Sequence, residues 1–180
     1  MRTNKKTQIL QAIEEIVEKS GLSAVTYESV SQASGLSKSG LIYHFPSRED
    51  MITELHRYMA EDWNARLEHI VGCPAEEATP AQRLRGNLAM AAHRATRSDL
   101  LVSLDALDHP VHAQIWREVL DKWNPPLDDV GEDDDATARY LVQLIADGLW
   151  AGDQLNLVTM SESQKQALLA AAERLIPDDA

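Results

Sequence analysis

Glycine and proline are scarce in this chain, 8 and 7 in 180 residues, and most fall between stretches whose apolar residues recur every three or four positions. That pattern marks amphipathic helices punctuated by turns, and no stretch alternates apolar and polar residues well enough to make a strand. The expected fold is all-α, with about nine helices. Ile9, Leu10, Ile13, Ile16 and Val17 form one stripe of a first helix that stops at Ser20-Gly21. Thr26 is a candidate N-cap for a short helix over 27–34, with Val30 and Ala33 facing inward and Gly35 ending it. Ser37 caps a third helix over 38–44, which Pro46 stops because proline disfavours helical geometry at the preceding residue. Ser47 and Asp50 have capping-box spacing, and residues 47–71 hold no Gly or Pro, which predicts one long helix. Beyond Gly72-Cys73-Pro74, helices are expected over 80–97, 98–107, 111–124, 136–158 and 162–175. Glu132 to Asp135 read as an exposed, solvated acidic loop.

Charge is unevenly placed. The net charge is −12, yet residues 1–57 hold seven basic and seven acidic side chains, so the whole deficit lies in 58–180. That acidic part would repel phosphates. The longest apolar run, Ala167 to Ala172, is far below the roughly 20 residues that cross a bilayer. Gln8, Gln11, Glu14 and Glu15 interrupt any apolar stretch behind the basic start, so no secretory signal is expected and the location read is cytoplasmic. Cys73 is the only cysteine, which leaves no intrachain disulfide and no resolving partner for redox sensing.

The first three helices have the spacing of a helix-turn-helix, with Gly35 in the sharp turn. In such a motif the second helix enters the major groove, and its early residues meet base edges or phosphates. Here it begins Lys38-Ser39-Gly40, one cation followed by two small residues that allow close approach of the backbone. Tyr43 and His44 follow Ser39 and Gly40 by four, on the same face, while Leu41 and Phe45 face the other way and anchor the helix. Thr26 and Arg48 are placed to hold phosphates on either side. Arg2, Lys5, Lys6, Lys38 and Arg48 would form a local positive surface.

The segment from Thr26 to Asp50, TYESVSQASGLSKSGLIYHFPSRED, closely resembles the DNA-binding signature of TetR-family transcriptional regulators, whose recognition segment ends in an aromatic residue, His and Phe followed by a basic residue. The resemblance places DNA contacts on Thr26, Ser37, Lys38, Ser39, Gly40, Tyr43, His44 and Arg48. There are two departures from the family pattern: Ile42 stands where many relatives carry a second aromatic, and Pro46-Ser47-Arg48 replaces a commoner Lys-rich segment. The resemblance is strong over about the first 55 residues. LVQLIADGLW and the closing LI are similar to the small multidrug-responsive members. It implies a one-component regulator, a repressor that binds double-stranded operator DNA as a homodimer and is released by a small-molecule inducer. Residues 1–46 would bind DNA, and residues 47–180 would bind ligand and dimerise through the last two helices.

The second part has no nucleophile motif, no Gly-rich phosphate loop and no strong metal spacing, so neither an enzyme nor a cofactor is expected. Trp116, Trp123 and Trp150 stand beside a single Phe in the whole chain. Trp116 and Trp123 share a helical face, which reads first as a core stripe and second as an aromatic-walled pocket for a flat or cationic ligand. Asp147 interrupts an apolar segment and would supply the counter-charge, or pair with Arg139. The candidate ligand residues are Trp63, Met90, His93, Asp105, Trp116, Trp123, Asp147 and Trp150. Asp105, His109 and His112, with His93 as a fourth, invite a metal reading, but His109 precedes Pro110 and the imidazoles need not share a face. They are read instead as surface or helix-capping histidines, with no metal assigned. From other classes come two alternatives: a helical metal- or ligand-binding protein whose N-terminal unit makes protein contacts, and a small helical enzyme using His93, Asp105 and His109.

Overall fold

The computed structural model describes residues 5–157 and 159–179. In chain order its helices are α1 (Lys5–Ser20), α2 (Tyr27–Ser34), α3 (Lys38–His44), α4 (Arg48–Val71), α5 (Pro80–Ala91), α6 (Arg97–Asp108), α7 (Pro110–Trp123), α8 (Asp134–Leu155) and α9 (Glu162–Glu173), with a 3-10 turn at Leu22–Ala24. Among the described residues there is no strand beyond an isolated Val130–Asp133 bridge, and no helix is long and apolar enough to cross a membrane. The all-α expectation holds. Arg2, one of the expected cations, and Val158, the expected end of α8, lie outside the described residues.

The chain packs as two compact units, one reaching Glu61 and adding Thr96–Trp116, the other made of Asp62–Ala95 and Arg117 onward. The first unit is organised around the stripe of α1. Ile9, Leu10, Ile13 and Val17 are buried with Val25, Val30, Leu41, Phe45, Met51, Ile52, Leu55, Met59 and Val102, and each such side chain contributes about 1.5–3 kcal/mol when fully buried. On α2 the inward pair is Val30 and Ser34 rather than Val30 and Ala33; Ala33 is exposed, and the Ser34 hydroxyl folds back on the Val30 carbonyl at 2.6 Å. Helix α6 joins this unit through an exchange of end groups. Arg97 donates to the Val17 and Glu18 carbonyls at the C-terminus of α1, at 3.2 and 3.0 Å, while the Glu18 carboxylate accepts the Ser98 N–H at 2.7 Å. Each helix end thereby satisfies orphan groups of the other.

In the second unit, Ala81, Leu84, Leu88 and Ala91 of α5 pack on Val142, Ala146 and Leu149 of α8 and on Ala172 and Ile176. Gly86 permits the approach of α4 to α5, since a Cβ there would lie 2.7 Å from Val71 Cγ2. Helix α5 ends at Ala91, six residues before its expected end, because Thr96 and Asp99 form a capping box that starts α6 afresh. The acidic run is also more than a solvated loop: Asp133 caps α8 and Asp134 and Asp135 lie in its first turn, where the helix dipole favours negative charge.

Candidate functional site

The helix-turn-helix is built by caps. Thr26 and Ser29 form a reciprocal capping box that starts α2. Gly35, at φ 71 and ψ 11, takes the left-handed conformation that ends it. The Ser37 hydroxyl accepts the Gly40 N–H at 3.2 Å and starts α3. Tyr27 was not singled out from sequence, yet its hydroxyl donates to the Phe45 carbonyl at 2.7 Å and ties α2 to the end of α3. With Leu41 and Phe45 buried, α3 turns its other face outward. Thr26, Ser37, Lys38, Ser39 and Tyr43 are exposed and Gly40 and His44 half-buried; Tyr43 is 85% exposed and meets the His44 ring edge-on. Lys38 pairs with Glu28. Arg48 gives its Nε to the Val25 carbonyl at 2.9 Å and its Nη2 to the Leu22 carbonyl at 2.7 Å, so it pins the turn before α2.

A second constellation lies in the same unit. His56 of α4, Asp105 of α6 and His112 of α7 converge, the two imidazoles stacked with centroids 4.0 Å apart and both essentially inaccessible to water. The indole N–H of Trp116 donates to His56 Nδ1 at 3.0 Å. His56 must then carry its proton on Nε2, which donates to Asp105 Oδ2 at 3.0 Å. His112 donates from Nδ1 to the same oxygen at 2.7 Å, and its Nε2 faces the Thr53 hydroxyl at 3.0 Å. Burial, and then the neighbouring His112, push His56 down from 6.5 to about 4, so it is neutral at pH 7. His109 caps the C-terminus of α6, exposed, with its Nδ1 2.9 Å from the Asp105 carbonyl; that bond and the Asp105 charge raise its pKa above 6.5. The capping expectation thus holds for His109, while His112 is a core residue and the surface reading fails for it. The long helix offered no signal for His56, because its partners lie 49 and 56 positions away.

The eight expected ligand residues divide. Trp63, Met90 and Trp123 pack together in the second unit, and Trp63 meets Trp150 edge-on at 5.3 Å. Trp123 is sealed in the core, its indole N–H on Asn64 Oδ1 at 2.9 Å, as the core-stripe reading expects. Trp116 and Asp105 belong to the first unit and are linked through His56. His93 is exposed. Asp147 is an exposed residue that accepts from Gln143 at 2.9 Å rather than pairing with Arg139, and partial desolvation raises its carboxyl above the ordinary value. A cleft of about 510 Å³ opens between Trp123, Pro125, Pro126, Arg83, Asp121 and Arg139, and the Arg139 Nε is buried with no partner among the described residues.

Residues 9–55 match the family model of bacterial regulatory proteins of the tetR family, and residues 81–177 match that of the tetracyclin repressor-like C-terminal domain. The chain belongs to the TetR family. Solved structures similar to this TetR-family chain include a transcriptional regulator from Rhodococcus sp. Rha1, at TM-score 0.67 and 19% identity over 96% of each chain. Another, from Streptomyces coelicolor A3(2), matches at 0.66 and 15% over 97% of this chain and 99% of its own. The multidrug binding protein EbrR, complexed with imidazole, matches at 0.61 and 19% over 98% and 97%. At these identities the likeness is one of fold. Among curated relatives, the HTH-type transcriptional repressor KstR2 of Mycobacterium tuberculosis is 30% identical over 112 residues, 62% of this chain and 48% of that protein. The nucleoid occlusion factor SlmA of Marinomonas sp. is 31% identical over 70 residues, 39% of this chain and 36% of that protein. The chain therefore spans less than half the length of the curated relatives it matches. TetR-family membership accounts for the helix-turn-helix and does not favour an N-terminal unit devoted to protein contacts.

Proposed function

We propose that this TetR-family chain is a cytoplasmic repressor that binds operator DNA as a homodimer and leaves it when a small aromatic molecule binds. Residues 1–46 read the operator, and residues 47–180 take the ligand and the second copy. The observation that carries the reading is the outward face of α3, where Lys38, Ser39 and Tyr43 stand exposed on a helix fixed from behind by Leu41 and Phe45. Thr26 and Ser37 flank it, and Gly40 lets the backbone approach the groove. Dimerisation is supported by Leu141, Leu144 and Leu155 of α8 and by Leu168 and Leu175, all exposed beyond 40%. A single chain gains nothing by leaving so many leucines in water, whereas a two-fold pair of α8 and α9 would bury them.

For the ligand, the cleft beside Trp123 and Pro125-Pro126 offers apolar walls, and the unpartnered Arg139 Nε offers a donor. That favours an aromatic molecule carrying an acceptor over the cationic one suggested by Asp147, which is exposed. Selection of duplexes from a random library, followed by binding at rising salt, tests the function. The expected result is a two-fold symmetric site whose affinity falls steeply with salt, by a log–log slope of about 0.9 per neutralised phosphate. No salt-dependent duplex binding would refute the reading. A ligand screen by tryptophan fluorescence, with hits tested for release of that site, identifies the inducer.

A further inference from the structure

We propose that His56, Asp105 and His112 form a binding site for one divalent transition-metal ion of the zinc class, built into the unit that carries the helix-turn-helix. Three helices, α4, α6 and α7, each deliver one donor to a common point, and the donor atoms all lie within 4.8 Å of one another. His56 Nε2 is 3.0 Å and His112 Nδ1 2.7 Å from Asp105 Oδ2. Ligands bound to zinc at about 2.0–2.2 Å in a tetrahedron stand about 3.3 Å from one another. Small outward movements of the two rings would therefore admit an ion between the three atoms. Two imidazoles and one carboxylate suit zinc, cobalt, nickel or copper rather than magnesium or calcium. His109, whose Nδ1 is 3.4 Å from the same oxygen, lies at the exposed edge outside the three converging donors, so the fourth position is left to water.

The surroundings of His112 also fit. When an ion takes Nδ1, the ring proton moves to Nε2, where Thr53 Oγ1 at 3.0 Å accepts it and Glu49 Oε1 stands 3.7 Å away. A metal-bound histidine backed by a hydroxyl and a carboxylate is a recurrent second layer in metal sites. At His56 the consequence is different. The ion takes Nε2, the proton moves to Nδ1, and two N–H groups then face each other where Trp116 had donated. Both rings change tautomer and no proton is lost in total, but Trp116 must give up its hydrogen bond and turn. Metal binding is thus coupled to a movement of Trp116 on α7, within the DNA-binding unit.

The test uses the full chain, stripped by chelation and titrated with Co2+ and then Zn2+ in the absence of DNA. One Co2+ per chain with the intense visible absorption of tetrahedral cobalt, displaced by Zn2+, is expected, together with a change in tryptophan fluorescence. Asp105→Asn and His112→Gln should each weaken binding by about 10- to 100-fold or more, with folding checked by circular dichroism. Trp116→Phe should keep the cobalt spectrum and lose the fluorescence change, which separates a metal site from mere loss of fold. His93→Ala should change nothing. No saturable cobalt spectrum, or one indifferent to Asp105→Asn and His112→Gln, would overturn the proposal and leave the cluster a metal-free hydrogen-bond relay. Duplex binding by the stripped chain is measured separately, so its absence would count against the regulator reading and not against this site.

Discussion

A tyrosine with 85% of its surface in water contributes almost nothing to folding, so a loss of binding in Tyr43→Ala can be assigned to a lost contact. Tyr43→Ala, His44→Ala and Lys38→Ala are each expected to weaken specific operator binding by about 1–3 kcal/mol, measured by fluorescence anisotropy, with Tyr43→Ala leaving the unfolding midpoint unchanged. Parent-like affinity in all three would refute the groove assignment. Arg48 is a different case, because it holds the Val25 and Leu22 carbonyls. Arg48→Ala should cost about 1–3 kcal/mol of stability in urea melts, and Arg48→Lys should not restore it, since an ammonium cannot reproduce the two-pronged geometry. At this scale the sequence made residue types and spacings legible, including the caps at Thr26 and Ser37. It could not show where each donor goes: the carbonyls that take Arg48 are 23 and 26 positions away, and His56 acquires its meaning only from Asp105 and His112.

Among the helices, those with a cap and a stripe encoded side by side were legible, from α1 through α4. The end of α5 was not, because residues 87–97 contain no Gly or Pro and the interruption is enforced from elsewhere. Ala95 N–H leaves the helical ladder for the Trp150 carbonyl at 2.9 Å, a bond spanning 55 positions. Thr96 and Asp99 were the local signal, and Thr96→Ala should cost about 1 kcal/mol by removing that cap, read from thermal melts. The unpartnered face of α8 gives a sharper test. A Cβ at Gly148 would meet nothing within 4 Å among the described residues of the single chain, so Gly148→Ala should strengthen α8 by up to about 1 kcal/mol if that face stays in water. In the proposed dimer the same face touches its copy. Gly148→Leu and Leu144→Glu are therefore expected to shift sedimentation from dimer to monomer while circular dichroism stays helical. Dimers unaffected by either would place the interface on another surface.

For the whole molecule, the charge division that was plain in the sequence is not all that shapes how stability responds to pH; two histidines contribute, with opposite signs. His56 has its folded pKa lowered to about 4 by burial and by His112, with Asp105 opposing. Between about 4 and the unfolded value near 6.5, the unfolded chain binds a proton that the folded one refuses. Its contribution is therefore complete above 6.5 and is lost as pH falls towards 4, by up to about 3 kcal/mol. His109 has its folded pKa raised, first by the Asp105 carbonyl and then by the Asp105 charge. Its contribution is present below 6.5 and disappears as pH rises through the folded value; being exposed, it is the weaker of the two. Glu49 also bears on this group, again favouring the protonated ring. The stripped chain should accordingly be most stable near pH 6.5, with a steep acid side and a shallow alkaline one. Urea melts in chelator at pH 4.5, 5.5, 6.5 and 8 measure the profile. His56→Gln should lower stability at pH 6.5 yet flatten the acid limb, and His109→Gln should flatten only the alkaline limb. An acid limb of unchanged slope in His56→Gln would mean that the titrating group lies elsewhere, with the carboxylates the next to examine. Asp147, raised by desolvation, would then act against the loss, since a group with a raised folded pKa stabilises the fold as pH falls through it.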